Sequence, residues 1–103
     1  MFLESEITPE GVVLHPVGRF DAHEAPAFNK AFNDALDAGA QDIVIELSRV
    51  NFIDSTALAE LVRCHRLIDA NGGRMSLGSP SDPVRVILEV TSLASFFHVV
   101  QPS

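Results

Sequence analysis

The sequence predicts one α/β domain over residues 1–103, in which about three to four helices pack on a mixed β-sheet of four to five strands. The chain has 103 residues, a length typical of a single domain. The consecutive apolar residues 43–45, Ile-Val-Ile, are typical of a buried strand. The segments on either side of this run, 23–38 and 55–70, carry apolar residues at helical spacing, which indicates alternating strands and helices.

The first two strands form a predicted antiparallel hairpin. Residues 2–8 begin with alternating apolar and polar side chains and predict a short edge strand, and Pro-Glu-Gly at 9–11 predicts a turn. Residues 12–17 predict the second strand, and residues 18–21 are expected to leave it. Pro16 cannot donate to a strand ladder, so it suits a sheet edge or a bulge.

The first helix is predicted over residues 23–38. Pro26 fits this helix only within its first turn, and Gly39 is a plausible C-terminal stop. The apolar stripe of this helix consists of Ala25, Phe28, Phe32, Ala35 and Leu36. Residues 41–47 predict the central strand, and their run of three apolar residues favours a strand that is covered on both faces.

The second helix is predicted over residues 55–70 and should stop at the Gly-Gly pair 72–73. The side chains expected to face the core are Ala57, Leu58, Leu61, Val62, Cys64, His65 and Ile68. Those expected to face outward are Thr56, Ala59, Glu60, Arg63, Arg66, Leu67 and Ala70. Leu67 is an apolar residue on this polar face, in line with Thr56, Glu60 and Arg63, and it is therefore a candidate partner contact.

The C-terminal third predicts a strand, a helix and a last short strand. Residues 74–78 predict a strand with Met75 and Leu77 turned inward. Residues 84–91 fit both the strand and the helix period, and Asp82 as a cap before Pro83 favours the helix. Residues 93–97 predict a turn or helical end, and residues 98–100 a final strand.

The charge balance argues against two classes of partner. The formal net charge is −7 at pH 7, and Lys30 is the only lysine. Nucleic acids and anionic membrane surfaces attract clustered Lys and Arg, so we expect neither of them, whereas a basic protein partner is compatible with this charge.

Several features predict a cytoplasmic location. No stretch approaches the roughly 20 apolar residues that span a bilayer, and the N-terminus lacks the basic segment of a signal peptide, so we expect no direct membrane insertion. Cys64 is the only cysteine, so no intrachain disulfide can form.

No arrangement typical of a catalytic or metal site is visible. The four histidines lie far apart in the sequence and make no metal-ligand spacing. Cys64 and His65 are adjacent and would point in different directions on a helix. The Gly-x-Ser-x-Gly motif of a serine nucleophile is absent. We therefore expect no enzyme activity, no metal and no cofactor.

Three small polar residues, Asp54, Ser55 and Thr56, stand where the second helix begins. Two interpretations are open. These residue types are preferred helix caps, because a side-chain oxygen accepts from a backbone N–H two or three residues later. Alternatively, Ser55 is a regulatory hydroxyl that the helix terminus holds in a fixed position.

Residues 52–58, Phe-Ile-Asp-Ser-Thr-Ala-Leu, resemble the Asp-Ser-Ser/Thr-Gly-Leu signature of STAS domains, specifically the anti-sigma-factor antagonists. Residues 18–21, Gly-Arg-Phe-Asp, resemble a second motif of that family, and the element order is similar over nearly the whole chain. The resemblance implies that Ser55 is phosphorylated by an anti-sigma factor that is itself a serine kinase. One departure is Ala57, where the family usually has glycine. The family usually adds a C-terminal helix, and we expect none in this chain, which ends at Ser103.

This resemblance implies a phosphorylation switch. The unphosphorylated domain would bind the anti-sigma factor, and phosphorylation of Ser55 would release it; a phosphatase would complete the cycle. The residues expected to contact the partner are Asp21, Asp54, Ser55, Thr56, Ala57, Ala59, Glu60, Arg63 and Leu67. Asp21 and Asp54 are also candidates for purely structural roles as turn and cap residues.

The family also implies an alternative. Some STAS domains are constitutive interaction subunits, for example the small cytoplasmic subunit of a lipid-transport ABC transporter, and no kinase acts on them. In that case Ser55 would not be phosphorylated.

Overall fold

The computed structural model describes residues 2–100, which form six strands and three helices. The strands are β1 (Phe2–Ile7), β2 (Val12–Phe20), β3 (Asp42–Glu46), β4 (Val50–Ile53), β5 (Arg74–Gly78) and β6 (His98–Val100). The helices are α1 (Ala25–Asp37), α2 (Ser55–Ala70) and α3 (Asp82–Val90). The predicted α/β class and mixed sheet are confirmed, with one strand more than we expected.

The sheet runs in the order β1-β2-β3-β5-β6, and β4 pairs with β2 beyond the end of β3. Among the six described strands, only β1 and β2 are antiparallel, and all other neighbours are parallel. The crossovers β2-α1-β3, β3-α2-β5 and β5-α3-β6 all step in the same direction. Because such crossovers are almost always right-handed, successive steps in one direction place all three helices on the same face.

Burial agrees with this one-sided arrangement. Leu14, Ile43, Ile45 and Leu77 are fully buried and belong to a single hydrophobic core. The residue between the two buried isoleucines, Val44, points to the opposite face and is only half-buried. The prediction that β3 is covered on both faces is therefore wrong among the described residues, because every helix lies on one side.

The strand β4 and the last third of β2 were not predicted. We expected residues 18–21 to leave the strand, but β2 continues to Phe20 and pairs with β4 after a register shift between Gly18 and Arg19. Pro16 lies between the segment that pairs with β3 and the segment that pairs with β4. Its missing N–H therefore interrupts neither ladder on that side. β4 has only four residues, too few for a clear alternating pattern.

Both helix starts that contain proline behave as expected. Pro26 lies in the first turn of α1, and Gly39 follows that helix with φ +94°, a conformation that glycine adopts without steric cost. Pro83 lies in the first turn of α3, which settles the strand-or-helix ambiguity. The N-cap position of α3 is Ser81 rather than the predicted Asp82, and the Ser81 hydroxyl donates to the carbonyl of Val50.

The predicted outward position of Leu67 is wrong. Its side chain is half-buried and packs against the hydrophobic core. It lines a depression with Leu36 of α1 and with residues that follow that helix. Because α1 lies alongside α2, part of the face that a helical wheel assigns to solvent is an interhelical contact.

We predict that Leu67→Asp destabilises the domain by about 1–3 kcal/mol, because it places a charge in a half-buried apolar contact. Ala59→Asp introduces the same charge at an exposed position of α2 and should change the free energy of unfolding by less than about 0.5 kcal/mol. Urea unfolding of both variants measures the difference. Equal stability of the two variants would mean that Leu67 is not part of the interhelical contact.

Candidate functional site

The candidate site forms where two parallel strands end side by side. Phe20, the last residue of β2, pairs with Ile53, the last residue of β4. The next residue of each strand is an aspartate, so Asp21 and Asp54 lie at the same edge of the sheet. The loop after β2 leads into α1, and Asp54 leads directly into α2. The site therefore joins two strand ends and the beginnings of two helices.

Asp54 uses its two carboxylate oxygens to connect these elements. Oδ1 accepts the N–H of Ala57 at 2.9 Å and caps α2, and Oδ2 accepts the N–H of Ala22 at 3.0 Å from the β2–α1 loop. The Ala57 N–H, assisted by that of Ala22 and opposed by burial, holds the pKa of Asp54 below its ordinary value. The carboxylate is thus a structural anion that positions both helix starts.

Ser55 is the first residue of α2, and its side chain is exposed. Since Asp54 provides the cap, the Ser55 hydroxyl is not needed for it. Within residues 2–100, this hydroxyl makes no hydrogen bond. Thr56 is also exposed, one residue further into the helix. The site therefore presents a free hydroxyl at the positive end of a helix dipole.

Asp21 organises the entry to α1. Its Oδ1 accepts the N–H groups of His23 and Glu24 at 3.1 and 3.2 Å, and its Oδ2 lies 3.5 Å from Arg19 Nε. The Arg19 guanidinium also stacks over the Phe52 ring, 3.9 Å from its centroid. A cation and an aromatic ring therefore stand on the two strands that lead to the site.

A second network links α1 to α2 near the site. Glu60 Oε1 accepts from Asn29 Nδ2 and from Arg63 Nη2, each at 2.7 Å. Burial alone would raise the pKa of Glu60, but the hydrogen bonds from Arg63 and Asn29 outweigh it and hold that pKa below its ordinary value. Burial, reinforced by Glu60, raises the pKa of the Cys64 thiol to about 12, so this cysteine is unreactive at neutral pH.

Nearly the whole chain matches one known protein family. Residues 3–102 match the sequence model of the STAS domain. The chain belongs to the STAS domain family. The resemblance that residues 52–58 and 18–21 suggested is thereby confirmed over residues 3–102.

Relatives of this STAS domain include anti-sigma factor antagonists. A Thermotoga maritima protein assigned as an anti-sigma factor antagonist is 33% identical over 89 residues, which cover 85% of this chain and 79% of that protein. The anti-sigma-B factor antagonist of Staphylococcus aureus is 26% identical over 82 residues, covering 80% of this chain and 76% of the relative.

A solved structure agrees with these sequence relatives. The anti-sigma factor antagonist SpoIIAA of Bacillus, in its unphosphorylated form, superposes with a TM-score of 0.83 at 25% identity, covering 99% of this chain and 89% of SpoIIAA. The phosphorylated form of SpoIIAA matches with a TM-score of 0.78 at 24% identity, covering 99% and 92%, and shares the fold. No helix within residues 2–100 of the STAS domain is long and apolar enough to cross a membrane.

The structure brings together most of the residues that the sequence proposed for the site. The exposed members of the predicted partner-binding set are Ser55, Thr56, Ala59 and Arg63, and the half-buried members are Asp21, Asp54, Glu60 and Leu67. Ala57 is fully buried, as its inward position predicted, so its side chain is not available to a partner. Glu60 was expected to face outward, but its carboxylate instead joins α1 to α2.

Sequence reasoning missed two features of the site. The N–H of Ala22 binds Asp54, and a backbone group of this kind leaves no signal in the sequence. The stacking of Arg19 on Phe52 was also missed, because the sequence did not reveal that β2 and β4 are neighbours. Arg19 and Phe52 each lie within one of the two family motifs. The motifs therefore identified the right segments but not the contact between them.

We predict that Asp54→Ala lowers Tm by about 4–8 °C, because it removes the α2 cap and the contact with the β2–α1 loop. Asp54→Asn should have a smaller effect, since an amide oxygen can still accept from Ala57 but the NH₂ group cannot accept from Ala22. Thermal melts at pH 7 rank the three proteins.

The same variants test the charge of Asp54. Folding lowers the pKa of Asp54. Its contribution to the stability of the fold is therefore complete above the ordinary carboxyl pKa of 3.8 and is lost as the pH falls through the lower pKa of the folded state. The Tm difference between wild type and Asp54→Asn should therefore shrink in acid. A Tm difference that stays constant from pH 7 to below the lowered pKa of Asp54 would show that the ionised carboxylate is not required for the stability of the domain.

Proposed function

We propose that this STAS domain is an anti-sigma factor antagonist that acts as a binding protein and not as an enzyme. Its unphosphorylated form would bind an anti-sigma factor with serine kinase activity and so release the sigma factor. Phosphorylation of Ser55 by that partner would end the complex, and a phosphatase would restore the hydroxyl. The relatives and SpoIIAA support the class of partner, and the geometry around Ser55 supports the acceptor.

One observation carries the choice of Ser55: the cap of α2 comes from Asp54, which leaves the Ser55 hydroxyl exposed and without a hydrogen bond within residues 2–100. A kinase can reach such a hydroxyl without dismantling the helix terminus. Thr56 is exposed as well, but it lies inside the first turn, one position beyond the residue that matches the family's acceptor.

The surroundings of Ser55 explain how a phosphate would act. A phosphoserine carries about −1.5 to −2 charges near neutral pH, and a helix N-terminus favours negative charge, so the fold tolerates the modification. At an interface, however, the new charge must be desolvated beside the carboxylates of Asp54 and Asp21. Phosphorylation would therefore weaken binding more than it weakens the domain.

Ala57 is compatible with this proposal. Its side chain is fully buried, so the methyl group that distinguishes it from the family's usual glycine points into the core and not towards the kinase. Alanine also has a higher helix propensity than glycine.

We predict that an anti-sigma factor kinase of the same organism, with ATP, adds one phosphate to the wild-type domain and to Thr56→Ala, and none to Ser55→Ala. Intact-mass analysis and phosphopeptide mapping measure the outcome. The free energy of unfolding of Ser55→Ala should lie within about 0.5 kcal/mol of the wild-type value, because Ser55 is not the cap of α2. Phosphate found only on Thr56 would contradict Ser55 as the acceptor. No phosphate on any of the three proteins would favour a constitutive subunit such as that of a lipid-transport ABC transporter.

Binding tests the switch separately. Ser55→Asp should fold normally and bind the anti-sigma factor more weakly than wild type, by about 5–150-fold, whereas Ser55→Ala should bind as wild type. Isothermal titration calorimetry measures these affinities. Wild-type affinity of Ser55→Asp would contradict the switch even if Ser55 is phosphorylated.

A further inference from the structure

No helix lies on the face of the sheet opposite the helix layer within residues 2–100, although Ser76 on this face is buried by its neighbours in the sheet. Register places Val13 beside Val44, and Phe2 beside Val17, on this face. The three valines are half-buried, do not pack against the hydrophobic core, and Phe2 is 61% exposed. The residues of this face, in strand order, are Phe2, Glu4, Glu6, Val13, His15, Val17, Asp42, Val44, Glu46, Arg74, Ser76, Gly78, His98 and Val100. We call this set the open face.

Negative charge is concentrated at one end of the open face. Glu4, Glu6 and Glu46 line a depression of about 370 Å³. His15 lies between the glutamates, its Nε2–H donates to Glu6 Oε1 at 3.0 Å, and Arg49 lies at the rim. Three carboxylates against one guanidinium leave the depression with two net negative charges when His15 is neutral. The depression therefore combines carboxylates with the neighbouring valines.

We propose that the open face is a second docking surface, and that its occupant is a basic amphipathic segment of another protein. Such a segment would place apolar side chains on Val13, Val17 and Val44. Its Lys or Arg side chains would reach Glu4, Glu6 and Glu46. Phe2, exposed at the end of the same stripe, would lengthen the apolar contact.

The charge of the open face decides between this occupant and a second copy of the chain. Two copies that meet through this face would bring their glutamate-lined depressions together, which costs free energy unless each is compensated. A basic segment gains from the same carboxylates. The proposal does not depend on Ser55, because the open face and the helix layer lie on opposite sides of the sheet.

A designed peptide of about 14 residues, roughly four helical turns, with leucine on one face and lysine on the other, tests the proposal. Amide chemical-shift mapping by NMR should locate the peptide on β1, β2 and β3, and fluorescence anisotropy should give an affinity that falls as NaCl is added. The double variant Glu4→Lys/Glu6→Lys should lower this affinity at least about tenfold.

The matched control is Asp37→Lys/Glu89→Lys, which makes the same change of net charge at exposed positions in the last turns of α1 and α3. It should retain the wild-type affinity, and circular dichroism should show both double variants folded. Equal losses in the two double variants, or shifts centred on Ser55 and α2, would overturn the proposal. So would sedimentation that shows the free domain dimerising through β1–β3, because the open face would then bind a second copy.

Discussion

The carboxylate of Asp54 is the interaction on which the site depends. It caps α2 with one oxygen and holds the N–H of Ala22 with the other, so two helix starts are fixed to one side chain. This is possible only because β2 and β4 are parallel neighbours that end together at Phe20 and Ile53. The extension of β2 past Pro16 and the short strand β4 thus exist in the same region that presents Ser55. Because Asp54 fixes both helix starts, the Ser55 hydroxyl has no part in holding them.

The direction of the crossovers divides the molecule into surfaces with different uses. All three helices lie on one face, where Phe20, Phe28 and Phe32 build the core, and the carboxyl ends of the strands carry the proposed switch. The opposite face keeps its valines and glutamates accessible within the described residues. Under the two proposals, the domain offers two separate contacts, one sensitive to phosphorylation and one governed by constant charge.

The elements with a strong periodic signal could be predicted from the sequence. The helix α2 begins at Ser55 and ends at Ala70 as predicted, and the prolines and Gly39 marked the ends of α1 and the start of α3. β4 could not be predicted, since four residues with exposed Asn51 and Phe52 show no clear alternation.

The sequence singled out candidate site residues but not the contacts that they make. Motif resemblance identified Asp21, Asp54 and Ser55. Only the structure shows that Asp54 caps α2 and that the Ser55 hydroxyl is therefore free. Leu67 and Glu60 were misplaced because a helical wheel contains no information about the neighbouring helix. Within the described residues, the open face carries no helix because all three crossovers step in the same direction. The run of apolar residues at 43–45 did not reveal this topology.

The central claim is that Ser55 carries the switch while Asp54 carries the fold. The most direct test compares the domain before and after stoichiometric phosphorylation, measuring its affinity for the anti-sigma factor and its Tm in the same buffer. We expect the affinity to fall by about 5–150-fold, equivalent to about 1–3 kcal/mol, while Tm stays within about 2 °C. Unchanged affinity, or a loss of affinity that accompanies a large fall in Tm, would contradict the account.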